Sequence, residues 1–157
     1  MVAGGGRVSL SVEFVPAPAV VAEGFFMTAE RLQMLDEPLR NSIPVATNEV
    51  EMNFAMEGRP TKWEDLAEGT AMIRGSDHPI LDRTGTLRSE AGQEWAFRRH
   101  DSHTVSAEMI DPTGYGAFHI TGTNAPMPIR DWSYVSEDGV DAIQAVFMDW
   151  LEEAIAT

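Results

Sequence analysis

One apolar stripe constrains this chain more than any other feature. Leu32, Leu35, Leu39, Ile43, Ala46, Val50 and Phe54 recur three or four residues apart. That spacing puts them on one face of a helix of about seven turns. Thr28 is placed to cap it, which sets a helical region at 28–57. Pro38 and Pro44 interrupt the pattern. Each lacks a backbone donor and crowds the preceding turn, so a kink or a break into two helices is expected near residues 36–44.

The rest of the chain gives an α+β order. Val8, Leu10, Val12 and Phe14 alternate with Arg7, Ser9, Ser11 and Glu13, the period-2 mark of a half-buried strand over 7–15. Pro16 and Pro18 end it. Residues 58–86 read as a loop with a short helical turn, and 87–110 as a hairpin. In that hairpin Trp95 and Phe97 face one way, and Val105, Ala107 and Met109 alternate likewise beyond a polar turn at His100 to His103. A second loop containing Gly122, Pro126 and Pro128 leads to a helix over 137–155. Ser136 caps that helix, and Val140, Ile143, Phe147, Trp150, Leu151 and Ala154 form its apolar face. The expected fold is a small antiparallel sheet, the N-terminal strand plus the hairpin. It packs with a long, Pro-interrupted N-terminal helix and a C-terminal amphipathic helix. The 157 residues suit one domain.

Charge narrows the function classes. Eleven basic and 25 acidic side chains give a net charge of −14, and a surface so acidic repels a duplex. The imbalance is uneven: residues 101–157 hold Arg130 against ten acids, whereas residues 1–100 hold ten bases against fifteen. Ten of the eleven bases are arginines, the type suited to planar, bidentate contacts with carboxylates. The terminal helix ends in Glu152 and Glu153 with no base after Asp131, although a helix C-terminus favours cations by about 0.3–1 kcal/mol each. An arginine-bearing surface of another subunit would relieve that conflict, and so would a passage in which negative charge is wanted. With no cysteine there is no disulfide framework and no thiolate metal site. Met1 to Gly6 reads as a flexible arm rather than a signal peptide, and no stretch approaches 18 apolar residues, so synthesis in the cytoplasm and no membrane span are expected.

A search for chemistry finds little. His100 and His103 lie three apart in a turn, but zinc needs three or four ligands with a fixed second shell, so no metal is expected. Ser89, Ser102, Ser133 and Ser136 sit in no Gly-x-Ser-x-Gly elbow. Glu64-Asp65 and Glu152-Glu153 are adjacent in sequence and point apart, which does not make an acid/base pair. Neither a catalytic residue nor a cofactor is expected.

Four short segments in order carry a resemblance. They are Gly58-Arg59-Pro60 with Trp63 and Leu66; Ile80-Leu81-Asp82-Arg83-Thr84-Gly85-Thr86-Leu87-Arg88-Ser89; Tyr115-Gly116-Ala117-Phe118-His119-Ile120-Thr121-Gly122; and Pro128-Ile129-Arg130-Asp131-Trp132. Over residues 28–156 the chain resembles the phage virion morphogenesis protein family, the tail completion proteins of Mu-like tailed phages.

The resemblance implies a structural virion protein rather than an enzyme. Such a protein forms a homo-oligomeric ring, of hexameric order, in the neck or at the head-proximal end of the tail. It completes the tail and supports head–tail joining and DNA passage beside tail-tube, terminator or connector proteins. On that reading Arg59, Trp63, Arg83, Arg88, Tyr115, Phe118, Arg130 and Trp132 are candidate interface residues. Arg130, isolated among acids, is expected to clamp a carboxylate, and Thr84-Gly85-Thr86 to start a strand pinned to the core by Leu87. Asp101, Glu108, Asp111, Asp149, Glu152 and Glu153 are candidates for an acidic lumen past which double-stranded DNA slides without binding. The alternative is a small acidic adaptor or chaperone-like module that holds a basic protein and never enters a virion.

Overall fold

A chain with one long amphipathic helix and a half-buried hairpin must bring the two apolar surfaces together. The computed structural model describes residues 7–13, as backbone, and 34–101, 104–122 and 127–155. Among these the order is β1 (Arg7–Glu13), α1 (Asp36–Ala55), α2 (Glu68–Arg74), α3 (Thr86–Glu90), β2 (Trp95–Arg99), β3 (Thr104–Ile110), α4 (Gly116–Thr121) and α5 (Glu137–Ile155). The fold is α+β. The arm at 1–6, the strand's extension past Glu13, the Thr28 cap, Leu32 and the Ser102-His103 part of the hairpin turn lie outside the described residues.

The sheet is antiparallel with β3 in the centre, in the order β1-β3-β2. Trp95 lies opposite Met109 and Phe97 opposite Ala107, so the expected facing residues do share a face. On that face Val105, Ala107 and Met109 are buried. One core cluster joins Leu35, at the entry to α1, and Leu39 and Ala46 of α1 to Val105 and Ala107 of β3 and to Ile143 and Phe147 of α5. A second gathers Val50, Phe54, Trp63, Ile80, Leu87 and Trp132. Phe54 stacks on Trp132 at 6.2 Å and meets Trp63 edge-on at 5.8 Å. Each large apolar side chain buried in these clusters is worth about 1.5–3 kcal/mol of transfer free energy.

Several expectations need correction. The break near 36–44 does not occur: α1 runs unbroken from Asp36 to Ala55 with Pro44 inside it. Pro38 falls in the first turn, where its missing N–H has no intrahelical partner to lose. The loop at 58–86 contains a seven-residue helix, α2. No strand starts at Thr86; residues 86–90 are helical and the strand begins at Trp95, although Leu87 is buried as expected. The Tyr115 segment holds an unforeseen helix, α4. The terminal helix spans the expected 137–155, and the Ser136 hydroxyl accepts the Gly139 N–H at 3.1 Å as its cap. Val140, assigned to the apolar face, is instead exposed. No helix among the described residues is long and apolar enough to cross a membrane.

A polar hub fixes the irregular chain between α4 and α5. Asn53, fully buried on α1, donates through Nδ2 to the carbonyls of Trp132 (2.9 Å) and Tyr134 (2.7 Å) and accepts from Arg59 Nε (2.9 Å). Arg59 Nη2 also reaches the Glu49 carbonyl and Oε2, and that same carboxylate oxygen accepts the Ser136 N–H at 2.7 Å. Gly58, at φ 112°, turns the chain so that Arg59 can do this; a Cβ there would lie 2.6 Å from the Trp63 backbone nitrogen.

Candidate interaction surfaces

The residues singled out from the sequence divide between the interior and the surface. Trp132 is fully buried, with Nε1 donating to the Gly116 carbonyl at 2.9 Å. Trp63 is buried and donates to the Asp131 carbonyl at 3.2 Å, and Arg59 is spent in the hub. Arg130 is 5% exposed and clamps no carboxylate among the described residues of its own chain. Its Nε and Nη2 donate to the Glu64 carbonyl at 3.0 and 2.9 Å, and Nη2 also reaches the Asp65 carbonyl at 3.1 Å. These four side chains therefore hold the monomer together. Arg88 pairs with Glu51 and with Asp82 (3.2 Å), pinning α3 to α1. Arg83, Tyr115 and Phe118 remain on the surface.

The acids divide in the same way. Asp111 is buried, and its carboxylate accepts the Thr113 N–H (3.0 Å), the Thr113 hydroxyl and the Ala117 N–H (3.2 Å), so it organises the start of α4 rather than facing a lumen. Glu108 is half-buried in the central strand, and Asp101 is exposed in the hairpin turn. Asp149, Glu152 and Glu153 are exposed on α5. That helix carries six acids and no base. Val140, Gln144, Met148 and Glu152 follow one another at intervals of four along one edge of its outer face, with Asp141 beside them. Asp138, Ala142, Ala145, Asp149 and Glu153 form the other edge.

Arg83 and Tyr115 meet at a cleft of about 790 Å³. One wall is the 64–67 loop and α2; the other is α4 and residues 127–130. Leu66, Leu81 and Leu87 supply apolar lining, and Arg74, Arg83, Arg130, Glu64 and Asp65 supply the charged part of it. His119 also lines it. Its Nδ1 is buried without a hydrogen-bond partner among the described residues. Burial and the nearby Arg130 charge hold its pKa below the ordinary value, against a smaller opposing pull from Asp111, so the ring is neutral at pH 7.

Among the described residues, Tyr115 is the one large exposed apolar side chain that lines the cleft; the others lie elsewhere on the surface. Met72 and Ile73 of α2 are 76% and 84% exposed, and α2 buries none of its residues. Tyr115, Phe118 and Ile129, on α4 and its flanks, are exposed as well. The sequence shows α2 only as a short helical turn in a loop, because seven residues cannot display a stripe. The run Ala71-Met72-Ile73 before Gly75 is the only signal it leaves. Asn53 was missed although its place, three residues after Val50 and seven after Ala46, puts it on the buried face. Comparison with family models, with curated proteins and with solved structures returns no match.

Proposed function

We propose that this chain is a structural, non-enzymatic component of a tailed-phage virion, a ring subunit in the neck or at the head-proximal end of the tail. It completes the tail, and head–tail joining and DNA passage run through the ring. One observation carries the reading toward assembly: Met72 and Ile73 stand exposed together on α2, and Tyr115, Phe118 and Ile129 on α4 and its flanks. Clustered exposed apolar side chains mark protein–protein contact. The order of the four sequence segments points to the tail completion setting. The acidic outer face of α5 suits a bore that must not hold phosphate, with Asp149 and Glu153 turned to the passage.

The acidic face of α5 also fits the rival reading, a monomeric adaptor for a basic protein. Light scattering and negative-stain microscopy of the purified chain, alone and mixed with tail-tube and connector proteins, separate the two. Closed rings are expected. A chain that stays monomeric in every mixture would sink the ring and favour the adaptor.

A further inference from the structure

Resting on the ring reading, we infer that the cleft between α2 and α4 receives the Val140–Glu152 edge of α5 from a second copy of this chain, head to tail. The apolar parts match. The cleft offers Leu66, Leu81 and Leu87 together with the exposed ring of Tyr115, and the α5 edge offers Val140 and Met148, 43% and 47% exposed. The charges match as well. In a molecule of net charge −14 the cleft holds three arginines against two carboxylates, and the α5 edge carries Asp141 and Glu152 with no base on the helix. Arg83 is exposed and makes no ion pair among the described residues, so a carboxylate from outside can take it.

No residue of α5 lines the cleft of its own chain. The contact is therefore between copies, and it joins two different patches. A contact between unlike patches that is not reciprocated across a two-fold axis cannot stop at a dimer. It propagates until the rotation closes a ring or runs on as a filament. The opposite edge of α5, with Asp138, Asp149 and Glu153, stays free of the cleft and keeps its acids for the passage.

Charge exchange tests this. Arg83→Glu alone, and Arg74→Glu with Arg83→Glu, should each weaken self-association by at least about tenfold, because like charges then face each other. Asp141→Arg with Glu152→Arg should do the same from the other side. Mixing the cleft variant with the α5 variant, or combining all four substitutions in one chain, should restore assembly. Circular dichroism checks that each variant is folded, and Arg83→Glu, at an exposed side chain, keeps the test alive if the double variant is not. The chain lacks cysteine, so Arg83→Cys with Met148→Cys gives a second readout, a ladder of disulfide-linked oligomers on oxidation. Wild-type rings with undisturbed variants and no ladder would overturn the interface and leave the ring standing. A wild-type chain that never assembles and a cysteine pair that never cross-links would overturn both.

Discussion

Asn53 joins three parts of the chain from a position with no solvent exposure. Truncating it leaves the Trp132 and Tyr134 carbonyls and the Arg59 Nε–H without their partner. Each buried polar group so orphaned costs about 1–3 kcal/mol, partly relieved by entering water. Asn53→Ala should therefore lower stability by about 2–4 kcal/mol, read as a lower urea midpoint with an unchanged slope. The hub was half legible in the sequence. A polar residue at a buried helical position is visible by spacing, but its partners are backbone carbonyls nearly eighty residues away, and carbonyls leave no trace in residue type. Arg130 failed to follow its neighbours' charge for the same reason: the acids at 64 and 65 receive it through their main-chain oxygens.

Among the elements, legibility follows length and capping. Helix α5 was readable to its ends because nineteen residues display a stripe and Ser136 announces the start. Helices α2, α3 and α4 have five to seven residues and begin at Ala67, Gly85 and Tyr115 without a side-chain cap, so neither periodicity nor a start signal marks them. Helix α1 was readable by its stripe, but its proline was over-read. Leu39, Ala46, Val50 and Phe54 bury deeply enough on either side of Pro44 to keep the helix whole. The proline still removes one backbone hydrogen bond from an exposed position. Pro44→Ala should thus raise stability by about 1–3 kcal/mol, a shift of roughly 2–4 °C in melting temperature per kcal/mol, measurable by calorimetry.

For the molecule as a whole, acidification acts in two stages. His119 has a pKa held below its ordinary 6.5 by burial and by Arg130, so the unfolded chain takes up the proton first and stability falls as pH drops through that range. His78 works in the opposite direction. Its bond to Glu57 raises its pKa, so the folded chain binds the proton first and gains stability there, but the ring is exposed and the gain is small. In the second stage, Glu49 and Glu57 are lowered from 4.5. Burial pushes both up, but Ser136 and Arg59 outweigh it at Glu49, and His78 and the Ile80 N–H outweigh it at Glu57. Their contribution is present above about pH 4.5 and is lost as pH falls below it. His119→Gln should flatten the urea midpoint between pH 7 and about 5.5 and leave the steeper loss below about 4.5 in place. An unchanged upper limb would show that His119 does not couple to folding. One further consequence lies in residues 130–136. Arg130 ties this stretch to the cleft wall, Asn53 holds its middle, and Glu49 receives Ser136 at the threshold of α5. On the proposed contact between copies, the strut would set the angle between the groove one copy offers and the helix it presents to the next. In a ring that angle is the turn per subunit, so a few buried hydrogen bonds determine how many copies meet before the circle closes.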